Sequence, residues 1–233
     1  MTAPPARTRT IGGLPIGYDE RVLEPRPWTA AQARWAAELA ADQPPGRLLE
    51  LCCGAGHIGL LAAHLTGRAL LAVDLSPAAS AWTRRNADAL GVGDRVEVRQ
   101  GRLEDGWEPD DERFPVVLAD PPWVPSAEVG RFPDDPVLAI DGGVEGLDVA
   151  RLCLRVAAAR LRPAGVVVLQ LGTPAQVHAL VATAGSLGLA LLGTRQEERG
   201  VLAVWAAHGP GRPGHRPAGA HAPDRPAIEE APR

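Results

Sequence analysis

The strongest constraint on this chain is its rhythm. Short apolar runs of strand length alternate with segments of helical period through most of its length. Strand character falls on residues 47–52, 69–74, 95–99, 116–120, 166–170, 187–192 and 201–206. Residues 58–66, 77–90 and 147–161 read as helices; the last is apolar at Leu147, Ala150, Leu154, Ala157, Ala158 and Leu161. Gly91, Gly165 and Gly185 stand where helices should stop. Alternation at this pitch predicts an α/β fold, a Rossmann-like doubly wound sheet of seven strands covered on both faces. Between the last two strands lies only TRQEERG, residues 194–200. That stretch is too short for a crossover helix, so the last strand should run antiparallel. Residues 29–41, alanine-rich with Trp35 and Leu39, predict one more helix leading in.

The ends read differently. Residues 1–28 are taken as an N-terminal extension and 29–208 as one domain, which suits a chain of 233 residues. From Gly209 onward, ten of twenty-five residues are Gly or Pro, and Ile228 is the one large apolar side chain. A segment with so little to bury cannot offset its ordering entropy, so residues 209–233 are expected to be a disordered tail. Met1 to Gly13 lacks the apolar run of a secretory signal, and the apolar stretch 179–193 is too short to span a bilayer. A soluble, cytoplasmic protein without a membrane partner is the expectation.

Composition excludes several chemistries. All 24 cationic side chains are arginine, with no lysine anywhere. Schiff-base catalysis, pyridoxal phosphate enzymes and Walker A phosphate loops are therefore out. Three cysteines, two of them adjacent, make neither a disulfide framework nor a zinc spacing, so no metal is expected. A formal net charge of −4 argues against a protein that grips duplex nucleic acid.

The first strand ends as LLELCCGAGHIG, residues 48–59, and Asp74 closes the second strand twenty residues after Gly54. Glycines 54 and 56 let backbone pass close under a ligand, and Asp74 is placed to accept both hydroxyls of a ribose. As a bare pattern this is the GxGxxG of nicotinamide dinucleotide enzymes. Two features favour S-adenosylmethionine instead. Glu50 puts a carboxylate before the glycines, suited to the amino-acid end of a methyl donor, directly or through water. And the fourth strand ends in Asp120-Pro121-Pro122-Trp123, at the edge where the ligand crevice must lie.

These residues resemble a class I S-adenosylmethionine-dependent methyltransferase. Three further stretches resemble the HemK (PrmC) type, which methylates glutamine side chains. They are Val22-Leu23-Glu24-Pro25-Arg26-Pro27, similar to the family's VLIPRPET entry segment; Asn86, matching its helix asparagine; and residues 136–148, PVLAIDGGVEGLD, similar to the run after its catalytic motif. The resemblance implies that Cys52, Cys53, Gly54, Ala55 and Gly56 wrap the donor, that Asp74 and Leu75 hold its ribose, and that Leu103 lies near its adenine. The chain also departs from the pattern. Arg102 replaces an aspartate, the entry segment's glutamate is lost at Trp28-Thr29, the N-terminal helical domain that docks the substrate is not expected, and NPPY becomes DPPW.

In such a site the enzyme mostly positions its reactants. A conjugated NH2 has a delocalised lone pair, and two hydrogen-bond acceptors turn that pair toward the methyl group. The Asp120 carboxylate and the Pro121 carbonyl are predicted to be those acceptors; Pro121 and Pro122 stiffen the turn, and Trp123 offers a face for a planar substrate. Asparagine donates and accepts, whereas ionised aspartate only accepts. That leaves the acceptor open between an amino or amide nitrogen of a small molecule, an exposed peptide side chain, and adenine N6, since DPPW also occurs in adenine methyltransferases. A nicotinamide oxidoreductase and a non-catalytic nucleotide-binding module are the remaining alternatives. His57, His64, Arg26, Asp141 and Asp148 take structural readings at this stage, with Arg26 as an ion-pair partner and the aspartates in turn or cap bonds.

Overall fold

The computed structural model describes residues 5–105 and 112–207. Nine strands and six helices follow in order: β1 (Arg7–Ile11), β2 (Leu14–Tyr18), α1 (Ala30–Ala41), β3 (Leu48–Leu51), α2 (His57–Thr66), β4 (Leu70–Asp74), α3 (Pro77–Ala89), β5 (Val96–Gln100), β6 (Phe114–Ala119), α4 (Val137–Ile140), α5 (Asp148–Arg160), β7 (Leu161–Leu171), α6 (Pro174–Ser186), β8 (Leu189–Gln196) and β9 (Val201–Ala207). Seven strands form one sheet in the order β5-β4-β3-β6-β7-β9-β8. The first five are mutually parallel, and β9 runs antiparallel between β7 and β8, as the short 194–200 connection requires. This is the doubly wound α/β sheet of seven strands, with one antiparallel strand, that the sequence predicts.

The interior strands are buried on both faces, so successive residues feed two different cores. Leu48, Val116 and Val168 pack on the side of α1, α2 and α3; Leu49, Val117 and Leu169 pack on the side of α5 and α6. The same alternation turns Glu50 toward α2. Strand order reverses between β3 and β6, and a crevice opens outside their carboxyl ends.

Residues 7–28 are not a separate extension. Gly12 and Gly13, with φ of 58° and 96°, close a two-residue turn that pairs β1 with β2. Ile11, Ile16, Tyr18 and Val22 then join the α1–α3 core. Two helix stops also move. α5 ends at Arg160 and the chain passes straight into β7, so Gly165 lies inside that strand, while α6 runs through Gly185 and the left-handed residue after it is Gly188. The expected tail, 209–233, lies outside the described residues. No helix among the described residues is long and apolar enough to cross a membrane.

Candidate active site

A cavity of about 300 Å³ occupies the crevice. Its floor is the β3–α2 turn, and its shape follows from backbone that a β-carbon would disturb. Cys52, Gly54 and Gly56 all have positive φ, 60°, 54° and 79°. Gly54 faces open space, whereas a β-carbon on Gly56 would strike Thr83. One wall is Asp74, whose Oδ2 accepts from the Gly54 amide at 2.8 Å and whose Oδ1 accepts from the Ser76 amide at 2.8 Å. Each oxygen keeps a lone pair for a ribose hydroxyl. Leu75 and Leu103 flank it as apolar walls suited to a flat base.

At the other end, beyond β3, Asp120 follows the last residue of β6 and faces the same cavity. Burial pushes its carboxyl up to about 7, with no hydrogen bond or ion pair offsetting that cost. The turn that carries it is held from two sides. Gln32, fully buried in α1, donates from Nε2 to the carbonyls of Ala119 and Val168 at 2.8 and 2.9 Å. Gln176, which completes the capping box of α6, donates to the Trp123 carbonyl at 2.9 Å. Sequence reasoning missed both glutamines. The available signals were a glutamine on the apolar face of an alanine-rich helix and the Thr173-Pro174-Ala175-Gln176 capping pattern.

The entry segment and the 136–148 run border the cavity too, through Val22, Arg26, Pro136 and Leu138. Arg26 donates to Asp135 at 2.9 Å, tying the two segments together as an ion pair. Asp141 makes turn bonds, accepting from the Ser126 hydroxyl and the Gly143 amide; Asp148 opens α5 and faces Arg151 instead of capping. His64 is exposed. Asn86 is the most connected of these residues. Its Oδ1 accepts from the Gly17 amide, and its Nδ2 donates to the carbonyls of Gly17 and Ala55, all between 2.8 and 2.9 Å.

Of the predicted site residues, Cys52, Cys53, Gly54, Asp74, Leu75, Leu103, Asp120 and Pro122 line the cavity. Five do not. Glu50 sits beneath the floor, accepting from the Gly59 amide at 2.8 Å, and burial pushes its carboxyl up to about 8. It shapes the turn and does not face the donor. Ala55 and Gly56 are the buried underside of that turn. Pro121 is buried away from the cavity, and the Trp123 ring packs where a β-carbon of Gly172 would stand. That packing occupies one side of Trp123, which is not among the residues lining the cavity. The thiols of Cys52 and Cys53 are both pushed up, the first by Cys153 at 3.9 Å and by burial, the second by burial, so they serve as neutral wall. Two wall groups take only structural readings from the sequence: Arg26 and His57.

The arrangement selects for a particular ligand. Asp74, Asp120 and the deeper Glu50 are three carboxylates held above their ordinary range by burial, and the arginines that line the same cavity, Arg21, Arg26 and Arg102, are paired with Asp19, Asp135 and Glu104 instead. A ligand with a ribose at one end and positive charge at the other relieves all three. S-adenosylmethionine fits; a dinucleotide pyrophosphate, itself anionic, does not.

Comparison with known proteins agrees. A family model described as "Methyltransferase domain" matches residues 48–132. The ribosomal protein uL3 glutamine methyltransferase of Bradyrhizobium diazoefficiens is 34% identical over 174 residues, covering 69% of this chain and 54% of that one. The release factor glutamine methyltransferase of Cereibacter sphaeroides is 36% identical over 188 residues, covering 78% and 65%. The chain belongs to the class I methyltransferases of the HemK type. Its cofactor is S-adenosylmethionine. This HemK-type chain spans roughly half to two thirds of the length of those curated relatives. The solved hMettl16 catalytic domain, in complex with a MAT2A 3'UTR hairpin, shares its fold with a TM-score of 0.68 at 18% identity, covering 87% of this chain and 79% of that one.

Proposed function

We propose that this methyltransferase transfers the methyl group of S-adenosylmethionine to a side-chain amide nitrogen of a protein, with Asp120 positioning that nitrogen. Asp120 carries the reading: a half-buried carboxyl that lines the cavity beside the donor cradle, where the family places an asparagine. The names of the relatives, which act on release factors and ribosomal protein uL3, support an amide acceptor.

When bound, the donor supplies an electrophilic sulfonium methyl; the chain's residues bind and orient. Asp74 would hold the ribose diol, and Leu75 and Leu103 the base. Asp120 meets the acceptor. A carboxyl near 7 exists in both protonation states at neutral pH, and its neutral form has one O–H donor and one carbonyl acceptor. That edge reproduces an asparagine amide, so it can accept from the substrate NH2 and donate to the substrate carbonyl. The substitution of Asp for Asn is thus compatible with an amide acceptor in one protonation state only.

The sign of the pH dependence follows. With an amide acceptor, turnover falls as pH rises through the Asp120 pKa, because the productive neutral form is lost. The donor's sulfonium favours the carboxylate and moves that midpoint below about 7 without reversing the slope. Asp120→Asn should remove the slope and keep activity, while Asp120→Ala should lower kcat by about 100-fold or more. The experiment supplies methyl-labelled donor with a glutamine-bearing peptide, small amines and single-stranded RNA. Label on the peptide amide with a falling profile supports the reading. Label on an amine with a rising profile, or label on RNA, overturns it.

A further inference from the structure

We infer that His57 is a hydrogen-bonding contact for the amino-acid end of the methyl donor. The inference rests on S-adenosylmethionine as cofactor and adds to it a residue outside the glycine turn and the diol-binding aspartate.

His57 is the first residue of α2 and is among the residues that line the cavity. Neither ring nitrogen has a hydrogen-bond partner, and both are shut off from solvent. A buried polar atom left unpaired is destabilising, and this imidazole has two. Such a ring in a cavity wall gains from any ligand that brings partners. Burial also pushes the imidazole down to about 4, and a helix N-terminus opposes an added positive charge. At neutral pH the ring is therefore uncharged, with one nitrogen donating and the other accepting.

Position decides which part of the donor it meets. Asp74, Leu75 and Leu103 take the nucleoside on the β4 side of the cavity, and Asp120 marks the reacting centre on the β6 side. His57 opens α2, the helix that follows β3, the strand between them. The unassigned piece of the donor is its amino-acid end, which carries an ammonium that donates and a carboxylate that accepts. A neutral imidazole can serve either: its bare nitrogen accepts from the ammonium, or its N–H donates to the carboxylate. Glu50, the alternative, is spent on the Gly59 amide below the floor.

The test compares two ligands that share the nucleoside and differ at the amino-acid end. Calorimetry measures S-adenosylhomocysteine, which has that end, and 5'-methylthioadenosine, which lacks it, on the wild-type chain and on His57→Ala and His57→Gln. His57→Ala should weaken S-adenosylhomocysteine about tenfold and leave 5'-methylthioadenosine within twofold. His57→Gln, which keeps a donor and an acceptor, should restore most of the loss. In the wild-type chain, the His57 ring nitrogen resonances should move on adding S-adenosylhomocysteine and stay on adding 5'-methylthioadenosine; this readout does not depend on any variant folding. Equal weakening of both ligands, or of neither, overturns the assignment. A wild-type chain that binds neither ligand would instead sink the cofactor reading itself.

Discussion

Backbone conformation at single residues has measurable consequences here. Ala164 occupies φ 62° inside β7, at an exposed local turn of the backbone where the pairing with β6 is irregular, a conformation that costs an L-residue with a β-carbon about 1–2 kcal/mol. Ala164→Gly removes that strain and gives back some through a more flexible unfolded chain, about 0.4–1 kcal/mol. The net expectation is a gain of about 0.5–1 kcal/mol, read as a raised midpoint in denaturant with unchanged slope. A lowered midpoint would mean that the turn relaxes another way. Cys52 has a similar φ of 60°, but its side chain packs against Cys153, so the same replacement there would lose contacts as it relieved strain. Side-chain identity alone distinguishes these two positions. Likewise Asp74 was legible because a carboxylate at a strand end has few other uses, whereas Gln32 was not, because its role depends on carbonyls of two distant strands.

Among elements, the least legible was the β1–β2 hairpin, and it is the one that Asn86 secures. Four of the five residues of β1 are exposed, so RTRTI shows no apolar alternation; the one local signal was the Gly12-Gly13 pair. The central strands were legible because burial on both faces demands unbroken apolar runs, and that demand is local. α6 was hidden by an apolar stretch that continues toward β8 without a clear break in period. For the hairpin, packing and pairing across the chain decide the matter. Asn86, buried in α3, satisfies both backbone groups of Gly17 and the Ala55 carbonyl of the donor-binding turn. Asn86→Leu leaves these groups unpaired in a closed site and should cost about 2–4 kcal/mol. Hydrogen exchange should show the Gly17 amide losing protection before the central strands do. A cost below about 0.5 kcal/mol would show that the hairpin holds by its apolar contacts alone.

At the scale of the whole molecule, groups raised or lowered by burial set the response to pH, and their windows overlap. Folding takes up protons wherever a buried carboxyl keeps a proton that the unfolded chain has lost, so stability falls as pH rises through that window. For Asp120 the window runs from its ordinary 3.8 to about 7, and Asp74 is shifted in the same direction. His57 works oppositely: its pKa drops from 6.5 to about 4, folding expels its proton, and stability rises with pH between those values. Asp19, held down at about 2 by its bonds to Arg21, stabilises the fold above 3.8 and is lost only in strong acid. Glu50 has the widest window, from 4.5 to about 8. Between pH 7 and 8, therefore, Glu50 exchanges the larger share of a proton on folding and Asp120, with its midpoint at the lower edge, a smaller one. One proton per molecule corresponds to about 1.4 kcal/mol per pH unit, and a site with its midpoint at the upper edge delivers about 1 kcal/mol across that unit. The ligand-free protein should lose that much stability through Glu50 between pH 7 and pH 8. Glu50→Gln keeps the carbonyl that accepts from the Gly59 amide and has no proton to lose, so its unfolding free energy should fall across the same interval only by the smaller share due to Asp120, about a third as much. Chemical denaturation at pH 7.0, 7.5 and 8.0, on both proteins without donor, measures the difference. A decline of equal size in Glu50→Gln would place the titrating group elsewhere in the chain.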